Sequence, residues 1–332
     1  MKLSIIVPVY NLEKYIGPCL ESLTKIALSP KEYEILVIDD GSQDGSVNVI
    51  ESFVREFDQV SLIKQENIGV GAARNLGLTK ASGKYVWLVD GDDLVCSDKV
   101  PAALEEALTQ NVDALAFNFD AVNEDGNSDP WIKFELKFEG NKALSGPEFY
   151  YLNYAKSYLW LYFFKREIFV KGNLKYHESI KMQDGELMPK IFMHCEKVGF
   201  HEEALIKYRY RPSSAVNNAD HHQRAYFYQS MVTVAKSLAE LQQQFDKNDI
   251  MFKAIQLKRN QMNQMLFTNL VSNKYSDDIN QKFISMLKNN GLLPFAPITG
   301  FTPKMNFKYN LIRKLVNINP QNGRTIYQKF IM

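Results

Sequence analysis

From residue 3 to residue 117 the chain alternates two kinds of stretch, and that alternation narrows the folds open to it. Residues 3–7, 33–40 (YEILVIDD), 60–64 (VSLIK), 85–89 and 113–117 are short apolar runs rich in β-branched and aromatic residues. Between them lie segments at helical spacing. Ile16, Leu20 and Leu23 mark one over 11–25. Val47, Ile50, Val54 and Phe57 mark a second, with Asp44 or Ser46 as its cap. Residues 69–81 read as a third, and Pro101 suits the first turn of a fourth. Strands joined by helices of this length pair in parallel through right-handed crossovers. Their unbroken apolarity fits a sheet covered on both faces.

Two of these runs end in acid. Residues 33–40 close on Asp39-Asp40, and KYVWLVDGDDLV (84–95) carries Asp90, Asp92 and Asp93 around Gly91. In open parallel sheets the carboxyl ends of the strands share one rim, where ligands bind. Neighbouring carboxylates on that rim repel one another, and a Mg²⁺ or Mn²⁺ ion, which takes oxygen ligands, offsets that repulsion. A solvated acidic turn is the plainer reading of Asp-x-Asp by itself.

Past residue 120 the pattern changes. Residues 131–138 (WIKFELKF) alternate and predict an antiparallel strand, with further strands over 157–164 and 202–210 and a helix start at 183–195. Long helices are expected over 224–245, 251–273 and 278–290. The formal charge of +1 over 332 residues does not mark a polyanion binder. Cys19, Cys96 and Cys195 are too few and too scattered for a disulfide framework or a zinc site. The start reads as a first strand, not a leader, and no apolar run reaches the length of a membrane span. A cytoplasmic location follows as an expectation. Residues 279–332 contain no Asp or Glu and mix Lys and Arg with Phe, Leu and Ile. That mixture suits peripheral contact with the inner face of an anionic membrane; packing of the apolar residues onto the protein itself is the alternative.

Four motifs in order, SIIVPVYNLEKYIGPCLESL (4–23), YEILVIDDGSQDGS (33–46), QENIGVGAARNLGL (65–78) and GKYVWLVDGDDLV (83–95), resemble family two of the glycosyltransferases. The resemblance is close over 1–120 and looser to 217. It implies the GT-A fold: a Rossmann-like, mostly parallel central sheet with helices on both faces, to which a helical C-terminal region is added here. It implies a domain over 1–217, with a nucleotide-sugar half (1–120) and an acceptor half (121–217), followed by the helical region 218–332. It also implies a nucleotide-sugar donor, a divalent metal and inversion at the anomeric carbon.

Carried onto this sequence, Pro8 and Tyr10 line the base and ribose, and Asp40 accepts the N3–H of uracil. That contact favours a UDP-sugar, although guanine also offers donors. Asp90 lies near the ribose and the metal's waters, Asp92 is the direct metal ligand, and Arg74 stands near the nucleotide or in a salt bridge. The family's Glu-Asp at a helix start corresponds to Gln183-Asp184, which makes Asp184 the base; Glu178 and Glu186 are rivals, and a helix-capping role for Asp184 stays open. KYRYRPSSAV (207–216) offers Arg209, Arg211 and Ser214 to a phosphate or acceptor, and Trp160 offers a wall against sugar or a core side chain.

The expected partners are the donor and a saccharide or polyprenyl-linked acceptor in surface polysaccharide synthesis, without nucleic acid. The Gln-x-x-Arg-Trp motif and spanning helices of processive synthases are missing, so single-sugar addition is expected. A non-catalytic nucleotide-sugar-binding subunit is the alternative that Gln183 keeps open. The first motif of haloacid-dehalogenase-type phosphatases needs Thr or Val where Leu94 stands. Sugar-nucleotide pyrophosphorylases need a Gly-rich basic loop where VPVYNLEKY stands.

Overall fold

The alternating segment folds as β1 (Leu3–Val9), α1 (Glu13–Thr24), β2 (Tyr33–Asp39), α2 (Ser46–Glu56), β3 (Val60–Lys64), α3 (Val70–Lys80), β4 (Tyr85–Leu88), β5 (Leu94–Val95), α4 (Val100–Gln110) and β6 (Ala114–Val122). It continues through α5 (Gly146–Asn153), β7 (Tyr162–Lys165), α6 (Arg166–Lys171), α7 (Gln183–Phe192) and β8 (Val198–Arg209). Among the described residues five helices follow: α8 (His221–Gln242), α9 (Ile250–Ser272), α10 (Asp277–Asn289), α11 (Pro303–Ile318) and α12 (Pro320–Phe330). The structure is a computed structural model and describes all residues except 125–126, 128–135, 139–142, 211–220, 273–275, 300 and 331–332. The chain forms two compact units, one of residues 1–179 and 187–217, the other of 180–186 and 218–332.

In the first unit a single sheet runs in the order β3-β2-β1-β4-β7-β6-β8-β5. The pairs β2–β3, β1–β2 and β1–β4 are parallel, as the crossover helices require. The expected parallel run stops there. β7 enters between β4 and β6 and is antiparallel to both, and β6 then pairs in parallel with β8. The two-residue β5, hidden inside the acidic motif, pairs antiparallel with β8. Of the alternating stretch 131–138, residues 131–135 lie outside the described residues, and 136–138 form no strand. The stretch 157–164 is a strand only in its second half; a short 3₁₀ turn, Leu159–Leu161, precedes β7.

The core explains the insertion of β7. Trp87 of β4 is fully buried and meets Phe117 of β6 and Phe163 of β7 edge-on, at centroid distances of 5.6 and 5.0 Å. Its indole Nε1 donates to the Trp160 carbonyl at 2.9 Å, so the ring is buried without an orphaned donor. Burying side chains of this size contributes about 2–3 kcal/mol each. No period within β4 or β6 specifies such a partner 73 residues away.

β1 sets up the rim. Its pairing with β4 ends at Ile6–Leu88, two residues before Pro8, which has no N–H to give a neighbour. β2 continues alongside to Val9–Asp39. Past Leu88 the chain is therefore released to turn over the end of β1.

Candidate active site

The turn after β4 crosses the end of β1 at Gly91. A Cβ there would lie 3.0 Å from Leu12 Cδ1 and 3.2 Å from the Pro8 carbonyl oxygen, so the close approach is best met by glycine. The acidic end of β2 lies on the other side of β1 from this turn. Asp40 donates its backbone N–H to the Val9 carbonyl at 2.8 Å, next to Tyr10. Pro8, Tyr10, Asp40, Asp90 and Asp92 are thus brought to one rim of the first unit, with Pro8 buried and Tyr10 exposed.

The rim's charges have protein partners. Arg74 Nη2 of α3 donates to Asp90 Oδ1 at 2.7 Å, and its guanidinium lies 5.2 Å from the Tyr176 ring centroid. Asn75, the next residue, fixes that ring's segment: its Oδ1 accepts from the Tyr176 N–H at 2.8 Å, and its Nδ2 donates to the Tyr176 carbonyl and Glu178 Oε1 at 3.0 Å each. Asp93 is buried on the other side of the turn. Its Oδ1 accepts the backbone N–H of Arg209 at 2.8 Å, and among the described residues its Oδ2 has no hydrogen-bond partner. Burial, then the charges of Asp92 and Asp90, push the Asp93 carboxyl well above the usual range; the Arg209 amide and guanidinium oppose this. Burial and the same acids push the Tyr208 hydroxyl up to about 12. One charge of the acidic turn is therefore answered by Arg74, and another is discouraged by burial.

Asp40 is already engaged. Its Oδ1 accepts from Gln65 Nε2 at 2.7 Å and the Ile68 N–H at 3.0 Å, and its Oδ2 from the Gly69 N–H at 2.9 Å. These bonds hold the 65–69 loop at the start of α3, where Gly69 has φ +111°. A carboxylate has room for about four such bonds, which leaves acceptor capacity at Oδ2.

Arg209 joins the acidic turn through its backbone, and its guanidinium lies 5.4 Å from the Tyr15 ring centroid. Trp160 is only 6% exposed. It stacks on Tyr208 at 5.7 Å and meets Phe119 edge-on at 5.1 Å, so the core uses its faces. Arg211 and Ser214 lie outside the described residues.

Asp184 stands in the first turn of α7, in the part of that helix that belongs to the second unit. Its rivals are tied elsewhere. Glu178 accepts from Asn75, and the buried Glu186 accepts from Ser237 Oγ at 2.5 Å. Lys258 of α9, only 4% exposed, donates to Gln261 Oε1 at 2.9 Å. Burial lowers its pKa to about 8, and the charge of Asp184 pulls it back upward.

Among the described residues no three His, Cys, Asp or Glu side chains are arranged to hold a metal ion. The oxygen donors of the turn fit a hard divalent cation of the kind that one or two carboxylates hold with phosphate and water oxygens. Sequence reasoning placed Asp93 in the acidic turn but missed Asn75, Tyr176 and Tyr208 as parts of this rim. Asn75 alone had a signal, its place beside Arg74 on α3; Tyr208 arrives from β8 and Tyr176 from the segment before α7. Among the described residues no helix is long and apolar enough to cross a membrane.

The profile of glycosyl transferase family 2 matches residues 4–176. The chain is 34% identical over 218 residues to the uncharacterized glycosyltransferase EpsJ of Bacillus subtilis (strain 168), a match that covers 64% of this chain and 62% of EpsJ. It thus spans less than two thirds of that relative. Among solved structures, S. aureus TarS 1-349 in complex with UDP has a TM-score of 0.70 at 19% identity, over 99% of this chain and 91% of that one. TarS is a poly(ribitol-phosphate) beta-N-acetylglucosaminyltransferase. The mannosyltransferase PcManGT of Pyrobaculum calidifontis, in complex with GDP-Man and Mn²⁺, has a TM-score of 0.54 at 16% identity, over 96% of this chain and 87% of that one.

Proposed function

The chain belongs to glycosyl transferase family 2 and has the GT-A fold, and from that premise we propose that it moves a single sugar from a UDP-sugar to a saccharide or lipid-linked saccharide acceptor, with inversion, in surface polysaccharide synthesis. The observation that carries the reading is the pair of acidic strand ends, after β2 and after β4, flanking the end of β1. The likeness to TarS, solved with UDP, supports a uridine donor; the likeness to PcManGT, solved with GDP-Man, makes the base the first point to test.

In this reading Pro8 and Tyr10 line the nucleoside, and Asp40 accepts the base N–H with its remaining lone pair. Arg74 orients Asp90 beside the ribose. Asp92 would hold the divalent cation, Mn²⁺ or Mg²⁺, which would supply positive charge against the negative charge developing on the leaving diphosphate. Asp184 takes the proton of the acceptor hydroxyl. The hydroxyl oxygen bonds to the anomeric carbon as the bond from that carbon to the diphosphate oxygen breaks, on the opposite face. Arg209, with Arg211 and Ser214, contacts phosphate or acceptor, whereas Trp160 serves as a core side chain.

Thermal shift with UDP-, GDP- and dTDP-sugars, with and without Mn²⁺, tests the donor half. A ligand that binds only the folded state raises its melting temperature. The expected result is a metal-dependent rise with a UDP-sugar that D92N abolishes. A rise that D92N leaves intact would remove Asp92 from the site. Metal-dependent donor binding without turnover on any acceptor would favour a nucleotide-sugar-binding subunit, the role that Gln183 beside Asp184 suggests.

A further inference from the structure

In the second unit, α11 turns Ile312 and Val316 inward. Its other side carries Lys304, Phe307, Lys308, Leu311, Lys314 and Ile318. At about 100° per residue these six positions fall within about a third of the helix circumference, so they form one continuous stripe. Phe307 is 77% exposed, Leu311 55% and Ile318 82%. Single exposed apolar side chains are ordinary, but three aligned along one helix face are not. Lys304, Lys308 and Lys314 are also exposed, and among the described residues none of them makes an ion pair. No acid offsets them locally, since residues 279–332 contain no Asp or Glu. On α12, Ile326 and Lys329 are exposed as well.

We infer that the Phe307–Leu311–Ile318 stripe of α11 docks on the surface of an anionic lipid bilayer. The geometry suits a helix lying in the interface plane, with apolar side chains at the acyl boundary and long lysine stems carrying their charges up to the headgroup phosphates. Charge selects the occupant. A second copy packed on this stripe would set Lys304, Lys308 and Lys314 against their own counterparts, whereas a layer of anionic headgroups neutralises all three. Docking by this face needs no sugar transfer, so this inference and the catalytic reading fail separately.

Co-sedimentation of the full chain with vesicles decides it, using phosphatidylcholine alone and phosphatidylcholine containing about one-third phosphatidylglycerol. The wild type is expected to pellet with the anionic vesicles at least about tenfold more than with the neutral ones, less so as salt rises. F307S/L311S/I318S should abolish the binding, and K304Q/K308Q/K314Q should weaken it by about 100-fold at low salt. These side chains are exposed, so circular dichroism should be unchanged; L311D serves as a single-site check if a triple variant misfolds. No binding by the wild type, or binding that all the variants retain, overturns the inference. So does a wild-type dimer that sediments without vesicles and is dissociated by F307S/L311S/I318S.

Discussion

Arg74, on α3, holds the carboxylate of Asp90, on the turn after β4, at 2.7 Å. The pair joins two segments of the rim and neutralises one charge of an acidic turn. Its side chains are 12% and 32% exposed, between the regimes of surface and buried pairs. R74A should therefore destabilise the fold by about 1–2 kcal/mol in urea denaturation. The double variant R74A/D90A should cost less than the sum of the single variants, because the second substitution removes the charge stranded by the first. Strict additivity would mean that the pair is not coupled in solution.

Asp184 is the proposed base. D184N should lower kcat by about 100- to 10,000-fold while leaving the donor's thermal shift close to that of wild type. Initial rates with saturating donor, alongside thermal shift, measure both. An unchanged rate would transfer the role to another carboxylate; E178Q and E186Q identify which.

Lys258 makes stability depend on pH. Its pKa in the folded protein is lowered to about 8, against about 10.4 for a free lysine. Between those values the unfolded chain binds more protons than the folded one, so stability rises with pH. Below the folded value both states are charged, and the cost of burying the ammonium is present in full. The wild type should gain about 2 kcal/mol between about pH 7.5 and 10 from this group. K258M should lose that increment, read as the difference between the two proteins' stability–pH curves, in which other titrations cancel. Parallel curves would show that Lys258 reaches water.

Gly83 packs against β1. A Cβ there would lie 2.5 Å from Ser4 N and 2.7 Å from the Leu3 carbonyl carbon, both backbone atoms that cannot rotate away. G83A should cost about 1–3 kcal/mol by chemical denaturation. The same substitution at Gly291 meets no atom of the described residues within 4 Å, but its φ of +65° makes it a test of backbone strain instead.

Local pattern was enough to place β1 to β4 and α1 to α4, because burial on both faces imposes unbroken apolar runs and amphipathic crossovers. It also placed the acids at strand ends, and the order of the four motifs led to the family. The long helices α8, α9 and α10 were legible to within a few residues, while α11 and α12 were read only as a basic and apolar tail. Composition carries the charge of that tail; it does not say which side of each turn faces the protein.

The order of β1 to β4 along the chain and the acids that follow β2 and β4 were thus fixed by the sequence alone, since both depend on neighbours within a few residues. Tertiary structure decided that β7 separates β4 from β6, that Arg74 answers Asp90, that Asp93 is buried under the Arg209 amide, and that Phe307, Leu311 and Ile318 stay outside. Each of these depends on which distant surfaces pack together. Helical and strand periodicity give a residue a face, but not the partner that covers it.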